Sequence, residues 1–116
     1  MLIIIAGTID LDPERAEQAL IDARDFIAAS RAEPGCIAYD WAIDPTRPGR
    51  INVFEEWESE SALAQHFRDV SYRAMRDHLP RYGLVSSSVR KYRCDRAEPV
   101  YDSSGTPRAD FVAQVA

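Results

Sequence analysis

An α+β fold with the element order β-α-β-β-α-β is predicted by three features of the sequence. A short, unbroken apolar run opens the chain, from Leu2 to Ile9. Further on, an alternating segment (Ile37 to Ile43), a turn rich in Asp, Pro and Gly (Asp44 to Gly49) and a second strand-like run (Ile51 to Trp57) read as a hairpin. Apolar residues recur at helical spacing both before and after that hairpin. A hairpin that passes directly into an amphipathic helix is the middle of a split β-α-β unit, the ferredoxin-like sandwich with its antiparallel sheet.

Each element has its own local reason. The first run is rich in β-branched isoleucine and short enough to be a strand buried on both faces. Asp12 followed by Pro13 is a helix-start signature, with Glu14 favourable near the positive helix end. Ala16, Ala19, Leu20, Ala23, Phe26 and Ile27 then form one apolar stripe, which Pro34 and Gly35 close. After the hairpin, Ser59 is placed to cap a second helix with Leu63, His66, Phe67 and Val70 on one face. Asp69 to Ser71 interrupts that helix before a continuation carrying Tyr72, Met75, His78 and Leu79, and Pro80 and Gly83 end it. Leu84 to Cys94 reads as the last strand. Residues 1–94 make one domain, and 95–116, frequent in Pro, Ser, Gly and Asp, form an extension expected to be partly extended or disordered, with Phe111, Val112 and Ala113 as a closing apolar patch.

This topology gives the spatial strand order 4-1-3-2 with both helices on one face of the sheet. The first strand is then central. Cys36 and Cys94 fall on opposite edges, too far apart for an intrachain disulfide, and read as reduced thiols. The helices leave one sheet face uncovered, yet Leu2, Ile4 and Ala6 alternate with Ile3, Ile5 and Gly7, and Val53 and Phe54 point oppositely. An apolar sheet face of that kind calls for a partner, most simply a second copy in a homodimer joined through sheet faces.

Composition excludes several classes. A net charge of −5 with scattered basic residues argues against nucleic acid. The opening apolar run is too short for a membrane span and lacks a preceding basic segment, so a cytoplasmic protein is expected. No Gly-rich phosphate loop, zinc-binding His-Glu motif or Ser-His-Asp context is present, and the cysteines fit no metal spacing, so neither metal nor cofactor is expected.

The chain resembles the antibiotic biosynthesis monooxygenase (ABM) superfamily over Met1 to Val89. The resemblance is carried by Glu33-Pro34-Gly35-Cys36 before a strand with an aromatic, by Glu55-Glu56-Trp57-Glu58, and by Ala62-Leu63 and His66-Phe67. It implies a dimeric α+β barrel and a cofactor-independent monooxygenase that oxidises a phenolic, quinol or anthrone-like aromatic with molecular oxygen. The alternative is a non-catalytic ligand-binding or interaction dimer of the same fold. A haem-binding or haem-degrading protein is the third reading. That branch relies on an Asn in the first strand, a Trp on the second helix and a His ligand on its continuation; those places here hold Gly7 or Thr8, Gln65 and Met75. Many members carry a second His after the one matching His66, where this chain has Ser71 or Tyr72.

An electron-rich phenol or anthrone, once deprotonated, can pass an electron to triplet oxygen unaided. The protein must supply an apolar pocket, a proton acceptor and hydrogen bonds to the anion. His66 is the candidate base, because imidazole is the side-chain type suited to proton transfer near neutral pH and this one is set on the apolar helix face; the alternative is a core histidine bonded to a backbone carbonyl. Phe54, Trp57, Phe67 and Tyr72 are candidate walls, with Trp57 chiefly a packing residue and Tyr72 able to orient a substrate oxygen. Asn52 is placed to bind a substrate carbonyl. Tyr39 and Trp41 share a strand face and are also available as pocket walls; the dimer interface or the pocket would explain them, and the interface is the first reading. Glu55 and Glu56 point to opposite faces, one of them paired with an arginine. His78 reads as a helix-end residue favourable to the dipole.

Overall fold

The computed structural model describes residues 1–111. Its elements are β1 (Leu2–Asp10), α1 (Ala16–Asp22), α2 (Arg24–Arg31), β2 (Cys36–Ile43), β3 (Arg50–Trp57), α3 (Glu60–Arg68), α4 (Val70–His78), a 3-10 turn (Leu79–Tyr82) and β4 (Ser86–Cys94). The sheet runs β2-β3-β1-β4, and every neighbouring pair is antiparallel. This is the ferredoxin-like α+β fold, with β1 central as its isoleucines require.

The first helical segment is two helices rather than one. Asp12 accepts from the Glu14 amide through its side chain and from the Arg15 and Ala16 amides through its carbonyl, so the Asp-Pro signature sets up a turn before α1. Ala23, fully buried, shares its N–H between the carbonyls of Ala19 and Leu20, and the chain re-enters helix at Arg24. Gly35 then turns the chain into β2 with φ of 82°, and a Cβ there would stand 2.5 Å from the Ala62 Cβ. Glycine is required at that position by conformation and by space.

The second pair of helices follows the sequence closely. Ser59 caps α3 by accepting from the Ala62 amide at 3.1 Å. Asp69 ends α3 and caps α4, accepting from the Ser71 amide. Gly83, with φ of 75°, stops the 3-10 turn in the left-handed region.

Side chains alternate across each strand, so the register assigns the two faces. Ile3, Ile5 and Ile9 of β1 stand with Ile51, Val53 and Trp57 of β3 beneath the helices, where Leu63, Met75 and Leu79 meet them. Each such side chain, fully buried, contributes roughly 1.5–3 kcal/mol. Ile4, Ala6 and Thr8 face the other way beside Glu56, Phe54 and Asn52, and no helix covers them. Phe54 and Tyr92 are exposed on that face. Cys36 and Cys94 are free and lie on the two edge strands.

After Cys94 the chain forms an isolated bridge between Tyr101 and Pro107, around a turn in which the Asp102 carboxylate accepts from the Ser104 and Thr106 amides. Of the closing apolar patch, Phe111 is exposed, and Val112 and Ala113 lie outside the described residues. Among the described residues no helix is long and apolar enough to cross a membrane.

Candidate active site

The candidate site is a cavity of about 420 Å³ between the sheet and the helix pair α3–α4. His66 and Phe67 enter it from α3, Tyr72 and Met75 from α4, and Tyr39, Trp41 and Glu55 from the sheet. Met75 is buried, and the helix stripe foreseen from residue spacing therefore has two uses, core packing at Leu63 and cavity wall at His66 and Phe67.

His66 is only 2% exposed. Its Nδ1 lies 2.8 Å from Oε1 of Glu33, in the turn between α2 and β2. The second carboxylate oxygen of Glu33 accepts from the Ser71 hydroxyl at 2.8 Å. Ser71 Oγ also lies 3.1 Å from Asp69 Oδ1 and 3.4 Å from the buried Ser30 hydroxyl. Ser71 has one hydroxyl proton, so it serves Glu33 or Asp69 at any instant, and Ser30 can donate to it in turn. With a carboxylate as acceptor, the proton of a neutral His66 sits on Nδ1 and the lone pair on Nε2. No protein partner for Nε2 exists among the described residues, and the ring lines the cavity.

Aromatic rings enclose the imidazole. The Trp57 ring centre is 4.5 Å away, and those of Tyr72 and Tyr39 are 5.4 and 5.6 Å away. On the cavity floor, burial pushes the Glu55 carboxyl above the usual carboxylate range, against the opposing pull of the Trp57 indole, which donates to it at 3.0 Å, and of His66. Burial, with Glu55 nearby, likewise pushes the Tyr39 phenol upward. The Trp41 indole N–H is buried and makes no hydrogen bond, although it lies near enough to Glu55 to favour that group's charged form.

The structure brings together five of the residues singled out from sequence as base or pocket wall: Tyr39, Trp41, His66, Phe67 and Tyr72. Trp57 is fully buried behind His66 and is a packing residue with an indole bond to Glu55. Asn52 and Phe54 do not reach the cavity. They alternate with Val53 and Glu55 and therefore stand on the uncovered sheet face. Tyr39 and Trp41 lie on the helix side, opposite Glu55 and Val53, and belong to the cavity rather than to a sheet-face interface. Glu55 pairs with an indole and not with an arginine. His78 is buried, with Nε2 2.9 Å from the Ala19 carbonyl, so it ties α4 to α1 from within the core. Glu33 and Ser71 went unrecognised as partners of His66. Glu33 adjoins the Pro-Gly helix stop and Ser71 follows the helix break at Asp69, but only the fold brings them to His66.

The profile of the family "Antibiotic biosynthesis monooxygenase" matches residues 2–78. The chain belongs to the ABM superfamily. The chain is 30% identical over 91 residues to "Uncharacterized protein sll1783" of Synechocystis, a match covering 78% of this chain and 62% of that protein's length. It is 29% identical over 65 residues to "Putative monooxygenase YcnE" of Bacillus subtilis, covering 56% of this chain and 68% of the relative. An ABM structure from Deinococcus radiodurans superposes with a TM-score of 0.76 at 22% identity, over 88% of this chain and all (100%) of that one, and shares its fold.

Proposed function

We propose that this ABM-family chain is a cofactor-independent monooxygenase that oxidises a phenolic, quinol or anthrone-like aromatic with molecular oxygen. The observation that carries the reading is His66: a cavity-lining imidazole whose Nδ1 is anchored on Glu33 while Nε2 has no protein partner among the described residues. The name of the Bacillus subtilis relative points the same way.

The substrate ring system lies between Phe67, Tyr72 and Met75 on one side and Tyr39 and Trp41 on the other. His66 Nε2 takes a proton from the acidic carbon or hydroxyl, and Glu33 holds the resulting imidazolium. The substrate anion gives one electron to oxygen. The substrate radical and superoxide combine at carbon to form a peroxide, and its O–O bond breaks with loss of water to leave a new carbonyl. An anthrone methylene plus O2 becomes a quinone carbonyl plus water, so the electrons balance without an external reductant.

Two copies joined through their uncovered sheet faces, where Ile4, Ala6 and Phe54 stand, form the working unit. The free thiols Cys36 and Cys94 suit a reducing cytoplasm. The experiment is turnover of a panel of anthrones and hydroquinones under isotopically labelled oxygen with flavin-free, metal-free protein. One labelled atom in the quinone product and one in water is expected. Enzyme-dependent product carrying oxygen from solvent, or no product above autoxidation with any substrate, would overturn the reading in favour of a ligand-binding dimer.

A further inference from the structure

We infer that the His66 cavity takes an aromatic acid, a fused ring system with a phenolic oxygen at its inner end and a carboxylate at its outer end. This rests on the cavity being the substrate site and adds what the substrate must carry.

The outer end is defined by charge. The protein has a net charge of −5, yet the cavity rim holds Arg76 from α4 and Lys91 from β4. Lys91 pairs with Ile5 in the sheet and so stands on the helix side, across the opening from Arg76. Among the described residues Lys91 has no ion pair. Arg76 has only Asp77, its chain neighbour, at 3.9 Å, and those side chains are 62% and 65% exposed, a contact that solvent screens. The Arg76 guanidinium is 5.8 Å from the Tyr72 ring centre, which holds it over the mouth. An adjoining cavity of about 400 Å³ shares Phe67 and Lys91 and adds Arg93, with Glu60 as its acidic counterpart. Two uncompensated cations on opposite walls of an apolar opening give a neutral ring nothing to gain. A carboxylate between them gains two charge-assisted bonds.

The inner end is defined by His66, whose Nε2 has no protein partner among the described residues and faces the phenolic oxygen. The side chains of Tyr39, Trp41, Phe67, Tyr72 and Met75 line the space between the two ends and bind the rings. A volume near 420 Å³ is within the range of small-molecule sites, about 300–1,000 Å³.

The test compares 6-hydroxy-2-naphthoate with 2-naphthol, its neutral counterpart, by calorimetry on the full chain. The naphthoate is expected to bind about tenfold tighter at low salt. That ratio falls to near one in the double variant Arg76→Gln, Lys91→Gln, and in high salt, while 2-naphthol binding is unchanged. Far-UV circular dichroism verifies that the variant folds. Equal or tighter binding of 2-naphthol by the wild type overturns the acid head and leaves the cavity as a ligand site. A ratio that survives the double variant also overturns it. Binding of neither compound removes the cavity as a ligand site, and the proposed function goes with it.

Discussion

The single carboxylate contact on His66 decides which ring nitrogen can act. In the proposed reaction Glu33 fixes Nδ1 and leaves Nε2 as the base, so the rate is expected to depend on Glu33 although it touches no substrate. Glu33→Gln keeps an acceptor for Nδ1 but loses the charge that stabilises the imidazolium. We expect kcat to fall about tenfold or more with KM little changed, measured as initial rates of quinone formation. Glu55 supplies a second prediction at this scale. Its folded pKa is raised above the unfolded value of 4.5, so the folded state binds the extra proton, and stability falls as pH rises through the interval above 4.5. Glu55→Gln abolishes that loss. Its thermal midpoint should exceed that of the wild type at pH 7 and converge with it near pH 4. His66 was legible in the sequence because residue type and helical spacing together identify it. Glu33 was not, because the contact spans 33 residues of chain and a glutamate before a Pro-Gly stop looks like a solvated one. Asn52 and Phe54 were misplaced for a definite reason. Alternation tells which side chains share a face, and when both faces of β3 are apolar it does not tell which face the helices cover.

At the level of elements, the helix pair α3–α4 is the frame of the site, and its ends were written plainly. Ser59, Asp69 and Gly83 each do what the sequence suggests. The break at Asp69 lets His66 near the end of α3 and Ser71 at the start of α4 meet at the same carboxylate. Ser59→Ala removes the oxygen that accepts from the Ala62 amide. It should lower the unfolding free energy by about 1 kcal/mol, read from the urea midpoint at unchanged slope. The break between α1 and α2 was hidden. Ala23 is a strong helix former by propensity, and the kink comes from a carbonyl pairing at a fully buried position rather than from a breaker residue. β4 was expected from Leu84 and begins at Ser86, since Val85 spends its amide on the Asp10 carbonyl at the strand entrance.

For the whole molecule, the strand order and the one-sided helix layer followed from counting elements, and the apolar character of β1 on both faces followed from its composition. The structure leaves Ile4, Ala6 and Phe54 uncovered, which is why a dimer belongs to the proposal. Phe54→Glu puts a charge on that face without touching the helix-side core. Sedimentation should show the wild type as a dimer and the variant as a monomer with an unchanged far-UV spectrum; a wild-type monomer would remove the sheet-face association. The cavity itself was legible only as a possibility, because its walls come from seven elements whose facing depends on register. Tyr39 and Trp41 show this most clearly, since the same alternation in β2 suits an interface or a cavity until the sheet is oriented.

The most direct measurement is oxygen consumption with an anthrone substrate by flavin-free, metal-free wild-type protein and by His66→Ala, each corrected for autoxidation. We predict enzyme-dependent uptake in the wild type and a loss of about a hundredfold or more in the variant, the scale of a general base. Equal uptake by the two proteins would contradict the account, because the Glu33-anchored imidazole would then have no part in the reaction.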